Sequence, residues 1–72
     1  MVSKEEFTKK LGLNIKRIRE EKKMSQEELA HQAKLYRTYP NHIERGRYSP
    51  SAYVIHKIAK ALRVEVGDLF PR

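Results

Sequence analysis

The sequence has no cysteine and no tryptophan, and only three glycines and three prolines. Without cysteine, disulfides and thiolate metal sites are excluded, and a reducing compartment is allowed. No apolar run approaches the roughly 18 residues a membrane span needs. The opening stretch, MVSKEEFTKK, lacks the apolar segment of a secretory signal. A cytoplasmic protein that does not touch membranes is therefore expected. Internal repeats and low-complexity tails are also missing. With 72 residues there is room for a single domain, expected over 1–72. A chain of this size buries about 60% of the surface its unfolded form exposes, so its core is thin.

What is present is charge. Lys and Arg outnumber Asp and Glu by 16 to 9, a net charge of +7. A basic balance on a small domain favours polyanionic partners, although on its own it is a weak signal. The cations are spread along the chain rather than blocked: Lys9, Lys10, Lys16, Arg17, Arg19, Lys22 and Lys23 early, then Arg37, Arg45 and Arg47.

The helical period dominates the apolar residues. Ser3 and Glu6 have capping-box spacing, and Phe7, Leu11, Ile15 and Ile18 form the stripe of an amphipathic helix expected over 4–21. Ser25 and Glu28 make a second capping box before a helix expected over 26–32, with Leu29, Ala30 and Ala33 inward. Leu35 is the apolar residue of a tight turn. A third helix, over 37–45, carries Ile43 inward and ends at Gly46, which suits a left-handed cap. In RYSPS, either Ser49 with Pro50 at the first helical position or Ser51 caps a fourth helix, over 51–62. A short fifth helix, 66–70, ends before Pro71. No segment alternates well enough to be a strand. The fold class is all-α, with five short helices.

Residues 25–46, SQEELAHQAKLYRTYPNHIERG, read as two helices joined by a short turn, with polar groups gathered on the second. That pattern resembles the lambda-repressor-like (Cro/Xre-type) helix-turn-helix family. IKRIR at 15–19, SQEELA at 25–30, IERG at 43–46 and IAKAL at 58–62 also look like that family in their spacing, so the resemblance covers about residues 11–70. The run Leu35-Tyr36-Arg37-Thr38-Tyr39 beside IERG most resembles the controller proteins of restriction–modification systems. Two positions depart from the pattern. The turn usually holds glycine, where this chain has Lys34, at a cost on the order of 1 kcal/mol. Pro40 stands where an aliphatic residue is usual; at the fourth position of a helix capped by Tyr36 it would remove the first intrahelical hydrogen bond.

The resemblance implies a transcription regulator that binds double-stranded DNA as a homodimer on a palindromic operator, with no cofactor, metal or small-molecule ligand. It makes Arg37, Thr38, Asn41 and His42 the residues expected to read bases. Arg37 suits guanine O6 and N7, and Thr38 can offer a hydroxyl or a methyl group. Arg17, Gln26, Tyr39, Arg45, Arg47 and Tyr48 are expected on phosphates, which set affinity and register rather than sequence. Arg19 and Glu44 are expected to form a structural ion pair between the first and third helices. Val64, Val66, Leu69 and Phe70 are expected at the dimer interface, unless they only close the core. For any one of these polar side chains the ordinary alternative is a solvated helix face.

The alternative role for the same residues is that of a phage-type or other Xre-type repressor. A protein-interaction module that kept the fold without DNA binding is the rival from another class. Catalysis has little footing. Glu27 and His31 stand at i, i+4, but the third ligand and the HExxH order of a zinc site are missing.

Overall fold

The computed structural model describes residues 2–71; the two terminal residues of the expected domain lie outside the described residues. Five helices follow one another: α1 (Lys4–Glu21), α2 (Gln26–Ala33), α3 (Tyr39–Glu44), α4 (Ala52–Leu62) and α5 (Val66–Leu69). No strand occurs among the described residues.

Three helices start as their serines dictate. Ser3 Oγ accepts from Glu6 N at 3.1 Å, and Ser51 Oγ accepts from Val54 N at 3.2 Å. Ser51, not Ser49, is thus the cap of α4. At Ser25 the exchange is reciprocal: Glu28 N donates to Ser25 Oγ and Ser25 N donates to the Glu28 carboxylate, both at 3.0 Å. This second bond, and next to it the bond from the Ser25 hydroxyl side, hold the Glu28 carboxyl below its ordinary range.

The first four helices end alike. Each passes into a left-handed residue: Lys23 (φ 57°), Lys34 (φ 56°), Gly46 (φ 74°) and Arg63 (φ 60°). The next residue then donates back across the last turn, as Leu35 N does to Ala30 O at 2.8 Å and Val64 N to Ala59 O at 3.0 Å. Three of the four returning residues, Met24, Leu35 and Val64, tuck partly buried against the core. That apolar contact accompanies such helix ends and offsets the strain of a non-glycine residue.

The core joins Leu11, Ile15 and Ile18 of α1 to Leu29, Ile43, Ile58, Leu62 and Leu69 of the other four helices. Phe7, expected within the α1 stripe, is instead 39% exposed at its edge. α3 begins two residues later than expected. The shift puts Pro40 at its second position, where a backbone N–H has no intrahelical acceptor. The buried proline ring fills the place beneath α3 and costs the helix no hydrogen bond.

Candidate nucleic-acid interface

The turn after α2 sets the geometry of everything beyond it. Lys34 reverses the chain, Leu35 anchors it, and Tyr36 points outward, 87% exposed. Tyr39 N then donates to Tyr36 O at 3.0 Å, which leaves Arg37 and Thr38 as the two central residues of a turn. Thr38 is in the right-handed region, and its hydroxyl makes no cap bond. Both side chains are exposed. They precede α3 rather than belong to its first turn, a correction to the expected helix that leaves them free for an external partner.

α3 has only six residues, too few for a stable isolated helix. It is held from below. Gly12 of α1 lies so close that a Cβ there would stand 2.2 Å from Ile43 O and 2.9 Å from Glu44 O. Only glycine allows this crossing. Beside it, Arg19 grips Glu44 with two parallel bonds, Nε to Oε2 at 2.7 Å and Nη2 to Oε1 at 3.1 Å. Arg19 Nη1 also donates to Met24 O at 2.7 Å. The two side chains are 9% and 2% exposed. The hydrogen bond to Glu44 raises the Arg19 pKa further, against the opposing effect of burial. The expected ion pair is therefore present, buried and bidentate.

The same carboxylate reaches the surface through two amides. Gln26 Nε2 donates to Glu44 Oε1 at 3.0 Å, and Asn41 Nδ2 donates to Gln26 Oε1 at 3.3 Å. Above them the outward ridge of α3 runs Thr38, Asn41, Arg45, spaced i, i+3, i+7. On one flank lies a groove bounded by Lys9, Leu13, Lys16, Gln26, Asn41 and Arg45. On the other lies one bounded by Ser25, Gln26, Arg37, Thr38 and His42. Arg37 pairs loosely with Glu27 at 3.7 Å, with both side chains mostly exposed. Such a pair contributes about 0–1 kcal/mol and is easily released.

Tyr48 closes the far end of the surface. Its ring packs against Tyr39 (centroids 5.4 Å apart) and His42 (5.1 Å). His42 Nδ1 is buried and has no hydrogen-bond partner among the described residues. At most one ring nitrogen of His42 can reach a base edge. Arg47 is exposed beside this cluster.

Of the residues expected on DNA, the structure gathers Arg37, Thr38, Asn41, His42, Gln26, Tyr39, Arg45, Arg47 and Tyr48 on or around α3. Arg17 is not among them. It faces α5 instead, bonded to Glu21 at 3.0 Å and to Asn14 Oδ1 at 2.6 Å, while Asn14 Nδ2 satisfies the carbonyls of Asp68 and Leu69. Lys9 and Lys16 instead line the groove beside α3; their i, i+7 spacing along α1, on the side of Gly12, was the available signal.

The expected dimer residues divide. Leu69 is 0% exposed and belongs to the core, and Val64 packs against the core. Their apolar side chains close the monomer, so Leu69 cannot serve an interface. Val66 (38% exposed) and Phe70 (36%) do reach the surface. Phe70 meets Phe7 there, centroids 6.1 Å apart, a partner missed in the sequence. No group of three or more metal-ligating side chains occurs among the described residues, and no helix there is long and apolar enough to cross a membrane.

Known proteins share this arrangement. A helix-turn-helix family model matches residues 15–69. The control protein C.BamHI of Bacillus amyloliquefaciens is 48% identical over 59 residues, covering 81% of this chain and 73% of that one. The immunity repressor protein of Bacillus phage phi105 is 45% identical over 59 residues, or 82% of this chain; the match spans 41% of that protein's length. The crystal structure of the restriction–modification controller protein C.AhdI from Aeromonas hydrophila superposes with a TM-score of 0.86 at 38% identity, covering 88% of this chain and 96% of that one. The turn at Lys34, the braced α3 and these matches agree, and the chain belongs to the helix-turn-helix family of DNA-binding transcription regulators.

Proposed function

We propose that this protein is a cytoplasmic, sequence-specific regulator that binds duplex DNA as a homodimer on a palindromic operator, in the manner of a restriction–modification controller protein. One observation carries the reading. The buried Arg19–Glu44 pair and its amide extension fix a six-residue helix that could not hold its own shape, and the side chains it presents outward are polar and cationic. Rigidity of that kind has no use on a merely solvated face; it suits docking into a major groove. Thr38, Asn41 and His42 face the base edges with Arg37. Lys9, Lys16, Gln26, Tyr39, Arg45, Arg47 and Tyr48 frame them on phosphates. The exposed apolar patch of Phe7, Val66 and Phe70 is the surface for self-association. Similarity to C.BamHI and C.AhdI supports the controller role. Similarity to a phage immunity repressor supports a repressor acting through the same surface.

Selection of bound sites from random duplex DNA tests the reading directly. A twofold-symmetric site is expected, with binding that weakens steeply as salt rises, by about 0.9 in the logarithmic slope per neutralised phosphate. Arg37→Ala is expected to cost about 1–3 kcal/mol on the selected site and to relax one base position. Equal losses on selected and random DNA would move Arg37 to the phosphate group.

A further inference from the structure

We propose that Asn41 is an adenine-selecting residue whose amide polarity is set by a relay from the buried ion pair through Gln26, the positioning residue. This rests on the DNA-reading role given above.

The argument runs from the inside outward. A carboxylate can only accept hydrogen bonds. The Glu44 carboxylate accepts two bonds from Arg19. The end of the Gln26 amide lying 3.0 Å from Glu44 Oε1 must therefore be its NH2 group. Gln26 is then left with its oxygen toward Asn41, and an oxygen accepts only from a donor. The end of the Asn41 amide at 3.3 Å from it must in turn be NH2. Neither amide can flip without setting oxygen against oxygen. One fixed charge thus orients two neutral side chains in sequence.

The consequence appears at the surface. Among the described residues Asn41 Oδ1 accepts no hydrogen bond, and Asn41 lies on the ridge between the two grooves that flank α3. Its oxygen and its second N–H are the atoms left for a base edge. Adenine presents a matching pair, the N6 amine as donor and N7 as acceptor. Cytosine, with a lone N4 amine, is the second choice. Guanine and thymine offer only acceptors there; they can use the second N–H but leave the Asn41 oxygen without a donor, so the relay disfavours them. An unbraced asparagine could turn to suit either class.

The experiment is site selection from random duplex DNA with the wild-type chain, Asn41→Ala and Gln26→Ala, each checked for folding by circular dichroism. Asn41→Ala is expected to erase preference at one base pair per half-site, and the wild-type preference at that pair should be A·T. Gln26→Ala should keep the rest of the site but lower the ratio of A·T to G·C at that pair by at least about fivefold. A wild-type preference for a G·C pair there overturns the proposal, whatever the variants do. So does a Gln26→Ala protein that binds more weakly but keeps its A·T preference, since Gln26 would then be only a phosphate contact. If Asn41→Ala alters no position, the inference fails while DNA reading stands. If the wild type enriches no sequence at all, the DNA-reading role fails and takes this inference with it.

Discussion

Helix α2 starts on a reciprocal Ser25–Glu28 capping box, whereas α3 starts at Thr38 with no side-chain cap. α2 also has acidic residues in its first turn, Glu27 and Glu28, which suit the helix dipole; α3 has none. One helix is specified by its own residues. The other is specified by what lies beneath it: Gly12, Arg19 and a buried proline. The difference is informative because α3 is the helix that carries the candidate reading surface. A capping serine or aspartate at residue 38 would turn a side chain back onto the helix. By taking its stability from α1, the chain leaves Thr38 and Asn41 outward-facing.

Removing the support should expose this asymmetry most. Glu44→Ala would leave the Arg19 guanidinium buried without its partner. The expected loss is about 3–5 kcal/mol in chemical unfolding. In hydrogen exchange, amides of α3 should lose protection before those of α2. Equal loss across both helices would show that the brace serves the whole core rather than α3.

Gly12→Ala is expected to be next. The added methyl group would stand 2.2 Å from Ile43 O, a backbone atom that cannot swing aside. α1 and α3 would have to separate, at about 1–3 kcal/mol, as for other overpacked contacts. Thermal unfolding measures the loss, and DNA affinity should fall more than stability alone predicts because α3 is displaced. An unchanged melting temperature would mean that the two helices have slack at their crossing.

These two sites also mark the limit of what the sequence made legible. The α1 and α2 boundaries, the left-handed Lys34 and the Arg19–Glu44 pair could all be read, because caps and stripes are local and the pair belongs to a resembled motif. The start of α3 could not, because the pattern of polar residues from Arg37 onward looks helical while Pro40 fits best at a second position. Gly12 passed unnoticed: a lone glycine between Leu11 and Ile15 gives no sign of which backbone approaches it. Arg17 was placed with the DNA contacts by its charge, yet its neighbours at i−3 and i+4, Asn14 and Glu21, tie it to the α5 side. The sequence leaves Leu69 open between the dimer interface and the core, because a four-residue helix shows too few turns to reveal its buried side. Local chemistry was visible; contacts between distant segments were not.

Ser25→Ala would weaken the other half of the comparison. The expected cost is about 1 kcal/mol, the usual value of such a cap. The change should fray α2 at Gln26 and leave the Arg19–Glu44 pair intact. Stability should fall by less than for either α1–α3 substitution. A larger loss would mean that Gln26, displaced with its helix, contributes more to holding Glu44 than its single 3.0 Å bond suggests.

The smallest effect is expected from Glu28→Gln, and it should appear near neutral pH and vanish in acid. The Glu28 carboxyl accepts from Ser25 N, so its folded-state pKa lies below that of the unfolded chain. A depressed carboxyl contributes stability above its unfolded pKa and loses it as pH falls through the folded one. Glutamine keeps an acceptor oxygen for Ser25 N but has no proton to gain. As pH falls through the folded-state pKa the wild type should therefore lose its advantage and come to unfold at nearly the same temperature as the variant, because protonation gives the wild type a neutral acceptor as well. Around neutral pH the wild type should hold a slight advantage from the charge at the start of α2. That advantage should shrink with added salt, because the group is fully exposed. A difference that grew toward acid instead would show that the Glu28 charge opposes folding, and α2 would then depend on its serine alone.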